Sequence, residues 1–326
     1  MGLSVTVRPT FPVVGTVVAM VLALGVSPCV VTGSTPPSTP SDVTSWPFPT
    51  TSGSIKVTAG DLFVLHTDGD LWVHPGLLSG APGQAVRLVD NADPRPPVSE
   101  GPGPNVIDTV AGPVDGVLYL TDCCEPAAGN LLTVDAPGSK PVAAGGVQAV
   151  AVDPAGARLG FGSYGGWGAA DLRTHTQQLR MADPPIDGAF DAMWTADGTA
   201  LAVMVSEGQG SRLRLIDPAT LAPVSQASQE PRFAVQARFS GRAPDGSLLV
   251  TVATLQATDV RAFRPTDLGE VAELRRSVPP TVSVVRTTAD GLGLLWVDGS
   301  DLMYEDGRGD VRRLLSEVLN VWTPGA

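Results

Sequence analysis

The chain has 326 residues, of which 43% are apolar, so it can bury a large core; its 37 Gly and 30 Pro stay below the level at which disorder becomes the default. A net charge of −12 argues against partners with phosphate backbones, because an acidic surface repels them.

Residues 11–31, FPVVGTVVAMVLALGVSPCVV, carry no charge and follow Arg8. Their length suits a signal-peptide core or a membrane span, so residues 1–33 are predicted to be a signal peptide or membrane anchor. Cys29 closes this run. The sequence Val26-Ser27-Pro28-Cys29 resembles a bacterial lipobox but has Pro where that pattern takes a small residue. Three outcomes fit: lipidation of Cys29, cleavage after Val31-Thr32-Gly33, or retention as an uncleaved anchor. Residues 34–53 are rich in Ser, Thr and Pro and are expected to act as a linker. Together these segments predict an extracytoplasmic protein, membrane-anchored or secreted, that meets the membrane only through its N-terminal segment.

From residue 54 onward one turn signal recurs. Asp115-Gly116, Ala155-Gly156, Asp197-Gly198, Asp245-Gly246 and Asp290-Gly291 each precede a short apolar run, at successive spacings of 40, 42, 48 and 45 residues. Gly supplies the positive φ of a tight hairpin, and Asp tolerates the neighbouring position. A strand-built repeat near this length predicts a β-propeller. The fold class is therefore all-β: a six-bladed propeller of four-stranded antiparallel blades, forming one domain over 54–326. The blades fall at about 54–90, 105–144, 147–183, 189–229, 233–277 and 282–315. Residues 91–105 are read as a long loop. EVLNVW (317–322) is left over and is expected to close the ring by adding a strand beside the first blade. VRRLLSEVL (311–319) is the one segment with a helical period.

The copy WTADGTALAVMVSEGQGSRLRLIDPAT (194–220) resembles the repeat of TolB-like, WD40-like propellers, with weaker copies at 243–252 and 152–162. LYLTDCCEP (118–126) also resembles an element of exported actinobacterial propellers. The resemblance implies a non-catalytic exported propeller that binds a protein or a cell-envelope component, as a monomer. The alternatives are a propeller enzyme, of lactonase or quinone-type dehydrogenase class, and a small-ligand sensor. The enzyme reading needs acids, Asn or His converging at one mouth of the channel.

Loops between the second and third strands of all blades share one face. The candidate binding residues there are Cys123, Cys124, Glu125, Tyr164, Trp167 and Glu207. Cys123 and Cys124 are adjacent, and in an oxidising compartment they can form a strained vicinal disulfide. A structural turn lock, unpaired buried thiols, and a ligand or redox role all remain open. Tyr164 and Trp167 either face solvent or pack between blades. No nucleophile elbow is present, and no catalytic residue, cofactor or metal-ligand set is expected. His66, His74 and His175 are read as solvent-facing. Asp153 and Asp217, each before Pro, are read as turn formers.

Overall fold

The computed structural model describes residues 44–45, 48, 52–91, 106–123, 129–139, 142–208, 210–226, 229–254, 256–279 and 282–324. They form six sheets arranged as a six-bladed propeller. Counted outward from the axis, blade 2 consists of Val106–Val114, Val117–Cys123, Asn130–Val134 and Val142–Gly145. Blade 3 has Val147–Val152, Arg158–Ser163, Gly166–Asp171 and Thr176–Met181, and blade 4 has Gly188–Trp194, Leu201–Glu207, Gly210–Ile216 and Arg232–Phe233. Blade 5 runs through Ala237–Arg242, Leu248–Ala253, Thr258–Phe263 and Arg276–Val278. Blade 6 runs through Val282–Thr287, Leu294–Asp298, Asp301–Glu305 and Val311–Leu315.

Blade 1 takes its innermost strand from the other end of the chain. Val318–Trp322 pairs with Leu62–His66, followed outward by Leu71–His74 and Val86–Val89. The C-terminal strand thus closes the ring as expected, and closure protects edges that would otherwise stay open. The helical period at 311–319 is not realised. Val311–Leu315 and Val318–Trp322 are strands of different blades, joined by a turn in which Glu317 takes φ 61°. The one helical element among the described residues is a single 3-10 turn, Ala272–Leu274.

The core lies between blades rather than within them. Leu213, Phe233, Phe239 and Val250 join blades 4 and 5, while Leu65, Leu88, Leu118 and Leu132 join blades 1 and 2. Every other neighbouring pair has its own buried cluster. The strands are apolar on both faces because each blade is sandwiched by two others. Leu201 through Val205, for example, are all buried. Such close stacking needs small residues: a Cβ on Gly162 would stand 2.0 Å from the Ala189 carbonyl oxygen of the next blade.

The recurrent turns join the first and second strands of blades 2 to 6, all on one face, here the turn face. In blade 4 the Gly198 amide donates to Thr195 O at 2.9 Å, and Gly198 takes φ 68°. Asp197 Oδ1 accepts from the Thr199 amide (3.0 Å) and the Thr195 hydroxyl (2.7 Å), and these bonds hold its carboxyl below the usual range. Blade 6 repeats this with Thr288, Asp290 and Gly291. Asp153 and Asp217 are turn formers too, accepting from the amides of Ala157 and Arg158 and of Ala219 and Thr220.

The described part of the segment read as a linker contacts blades 3 and 2, and Ile55 just beyond it reaches blade 1. Thr44–Ser45 pairs with the outer strand of blade 3, opposite Gln177 and Thr176. Phe48 is buried between blades 2 and 3. The amides of Gly53 and Ile55 donate to the carbonyls of Asp115 and Gly116, and the Ile55 side chain is buried between blades 1 and 2.

Candidate binding faces and the central channel

Inner strands bring charged side chains to the axis. A bulge between Ile107 and Thr109 leaves Asp108 out of register with its partner strand, which re-aims it. Its carboxylate meets Arg238 Nη1 of blade 5 at 3.2 Å. Blades 2 and 5 stand opposite each other in a ring of six, so this pair spans the channel. Asp191 of blade 4 is buried and accepts from the amides of Phe239 (2.7 Å) and Ala192 (2.9 Å). Burial pushes its carboxyl above the usual range, against the pull of Arg238, Arg286 and the Phe239 amide. The Arg286 guanidinium donates to the carbonyls of Phe239 (3.2 Å) and Val285 (3.0 Å), and Arg238 lies over the Phe190 ring. Two carboxylates and two guanidiniums therefore balance one another on the axis. Among the described residues no group of three or more His, Cys, Asp or Glu is placed to hold a metal ion.

On the opposite face, the loop face, the candidates fare unequally. Cys123 ends a strand opposite Val106. Its side chain, Cys124 and Glu125 lie outside the described residues, and so do their bridge and Cys29. Tyr164 forms the turn between Ser163 and Gly166 and is half-buried. Trp167 is 1% exposed. It packs between blades 3 and 4, its Nε1–H donates to Leu221 O at 2.9 Å, and Arg214 lies over its ring. The inward direction follows from strand alternation: Gly166–Asp171 continues past the turn, and Trp167 falls on the face toward blade 4. As a surface contact Trp167 offers no area. Glu207 is partly exposed but engaged, its carboxylate 2.6 Å from Arg212 Nη2. Arg212 and Arg214 both grip the buried Glu230, at 3.2 and 2.9 Å. A chain of charge thus runs from the loop face at Glu207 to Trp167 in the core.

The turn face carries a cleft of about 350 Å³ between blades 4 and 5. Hydroxyls and acids of Thr195, Asp197, Ser225 and Thr266 line it above an apolar floor of Leu215 and Leu268.

Two histidines depart from expectation. His66 and His74 are half-buried, not solvent-facing, and their Nε2 atoms lie 3.2 Å apart. The ring centroids are 5.5 Å apart, so the rings meet nearly head-on, the geometry of a shared N–H···N hydrogen bond. Burial first, and then His66, hold His74 down to about 4. Spacing alone could not find this pair, because it depends on two side chains of one hairpin leaning together. His175 occupies a turn at φ 55° in blade 3.

No protein-family model matches the sequence, nor does any curated protein. Solved structures do match. TolB from Acinetobacter baumannii is 15% identical with a TM-score of 0.54, over 81% of this chain and 67% of that one. The propeller in a nidogen/laminin complex is 14% identical with a TM-score of 0.54, over 81% of this chain and 93% of that one. This chain has a TolB-like propeller fold. A further likeness, to Kuenenia stuttgartiensis hydrazine synthase, has a TM-score of 0.42 at 14% identity over 64% of this chain and 67% of that one. At these identities the TolB-like likeness concerns architecture, and function rests on the sites.

No helix among the described residues is long and apolar enough to cross a membrane; the apolar segment 11–31 lies outside them.

Proposed function

We propose that this TolB-like propeller is a non-catalytic, exported protein that binds a protein or a cell-envelope component through its loop face. The observation that carries the reading is the ionic pair of Asp108 and Arg238. The channel mouth is where a propeller enzyme would gather reactive acids, and here the axial charges are spent on one another. What remains for recognition is surface. Loops on a rigid scaffold commonly supply it, and the nidogen/laminin complex contains a propeller of the same architecture. The apolar 11–31 segment supports a place outside the cytoplasm, with the chain tethered or secreted. Tyr164 belongs to the proposed surface, and Cys123, Cys124 and Glu125 are proposed to extend it. Glu207 is its charged margin.

A photo-crosslinking residue placed at Tyr164 or at the exposed Gln256, in intact cells, tests this. The expected result is one recurring adduct from both loop-face positions and none from Arg173 on the turn face. Equal labelling from all three positions, or none from any, would sink the reading.

A further inference from the structure

The hairpins between the third and fourth strands of blades 3, 4 and 5 are copies of one turn. In blade 5 the Arg264 amide donates to Gly269 O (3.0 Å) and the Leu268 amide to Arg264 O (2.9 Å), with Leu268 at φ 56°. In blade 4 the Asp217 amide donates to Ala222 O (2.9 Å) and the Leu221 amide to Asp217 O (2.7 Å), with Leu221 at φ 55°. In blade 3 Asp171 pairs with Thr176 across the same number of residues, and His175 takes φ 55°. Thr176 and Gln177 of blade 3 therefore correspond to Gly269 and Glu270 of blade 5.

The first of these two positions is covered. Thr44–Ser45 adds a strand beside Gln177 and Thr176, and Phe48 fills the seam between blades 2 and 3, 5% exposed. The same segment reaches the first turn of blade 2, where Gly53 and Ile55 donate to the carbonyls of Asp115 and Gly116.

The seam between blades 4 and 5 has corresponding walls and stands open. Its walls are the first turn of blade 4, with Thr195 and Asp197, and the outer turn of blade 5, with Thr266 and Leu268; between them lies the cleft of about 350 Å³. Val224 on its rim is 54% exposed, while Leu215 and Leu268 are buried beneath. Blade 4 is cut back on this side: Pro223 has no amide to donate, and the fourth strand is reduced to Arg232–Phe233. The neighbouring edge of blade 5 is open too. Gly269 and Val271 are bonded to the third strand through the Gly269 carbonyl and the Val271 amide, so the amide and carbonyl of Glu270 between them point out of the sheet. Among the described residues no fifth strand lies beside that edge.

We infer that the cleft between blades 4 and 5 is a docking groove for an extended segment of a partner protein. The segment adds a short strand at Glu270 and buries one aromatic side chain over Leu215 and Leu268. The chemistry of the occupant is that of Thr44–Ser45 and Phe48 in the sister seam. There the backbone pairs with the outer edge of a blade and an aromatic anchor enters the gap beside it. Edge pairing of this kind supplies main-chain hydrogen bonds, and the pocket for the anchor supplies selectivity. The groove opens on the turn face and shares no residue with the loop face.

A fluorescent peptide copying residues 41–53, titrated with the full chain in mild detergent and followed by polarisation, tests this. Saturable binding is expected. Val224→Arg fills the groove from an exposed position and should weaken binding at least about tenfold. A peptide with Phe48→Ala should lose affinity to a similar degree, because the anchor is gone. The melting temperature of Val224→Arg is measured alongside; if it falls, Thr266→Arg on the opposite, exposed wall takes its place and should weaken binding likewise. Binding that ignores both groove variants would put the peptide elsewhere, in the seam of blades 2 and 3 above all, and would overturn the inference. No saturable binding to the wild-type chain would overturn it as well.

Discussion

Asp108 and Arg238 meet at 3.2 Å from opposite blades of the ring, 130 residues apart in the chain. Few pairs in the molecule report so directly on whether the whole ring has closed, since neither partner can reach the other until all the blades between them have stacked. Both side chains are largely buried, and Asp191 and Arg286 complete the balance.

Removal of one partner should therefore cost more than removal of both. Arg238→Met should destabilise by about 2–4 kcal/mol, because Asp108 is left with an uncompensated charge. Adding Asp108→Leu should restore part of that loss. Urea unfolding of the two single variants and the double variant measures the coupling. Additive losses would mean that the pair is incidental.

Trp167 makes a second case. Trp167→Ala should cost about 3–5 kcal/mol, as a buried aromatic does. Trp167→Phe should cost about 1–2 kcal/mol, because the Leu221 carbonyl loses its donor. Both shifts are read as the urea midpoint. A surface role would instead leave stability near wild type, and that outcome would contradict the burial between blades 3 and 4.

The histidine pair sets a pH dependence. In the folded chain His74 stays neutral down to about 4, while in the unfolded chain it takes a proton near 6.5. Between those values the unfolded state binds more protons, so stability rises with pH across that window. Lowering pH from about 6.5 to about 4 should therefore destabilise the protein, with no further loss from this group below 4. His74→Phe should flatten that slope. An unchanged profile in the variant would show that other groups set the acid response.

Gly162 tests blade stacking. Gly162→Ala places a methyl group 2.0 Å from the Ala189 carbonyl oxygen, which belongs to backbone and cannot yield easily. The expected loss is about 1–3 kcal/mol, measured by thermal unfolding. A neutral result would mean that blades 3 and 4 slide apart more freely than their shared core implies.

What could be read from the chain was local. Gly198 and Gly291 declare their turns because positive φ is a property of single residues, and the regular spacing of such turns declares the blades. EVLNVW was legible as the closing strand because it was the one alternating run without a blade of its own. The segment 311–319 misled for a physical reason. Two strands separated by a two-residue turn put Val311, Leu314, Leu315 and Val318 at helical intervals, and the turn relies on Glu317 rather than on glycine. Trp167 stands beside Gly165 and Gly166 and so resembles a loop residue, yet it belongs to the strand that follows. The axial network was invisible because its partners come from separate repeats.

The attachment of residues 44–55 to blades 3, 2 and 1 bears on mechanics. Tension on the chain ahead of Thr44 enters the domain at the outer strand of blade 3, where two residues pair with Gln177 and Thr176. That contact is only two residue pairs long. Phe48 must then leave its pocket between blades 2 and 3 before load reaches Ile55. The seam of Val318–Trp322 with Leu62–His66 lies beyond all of these. A tethered copy would thus yield first at an expendable two-residue clasp, with the closure of the ring as the last element to feel the pull.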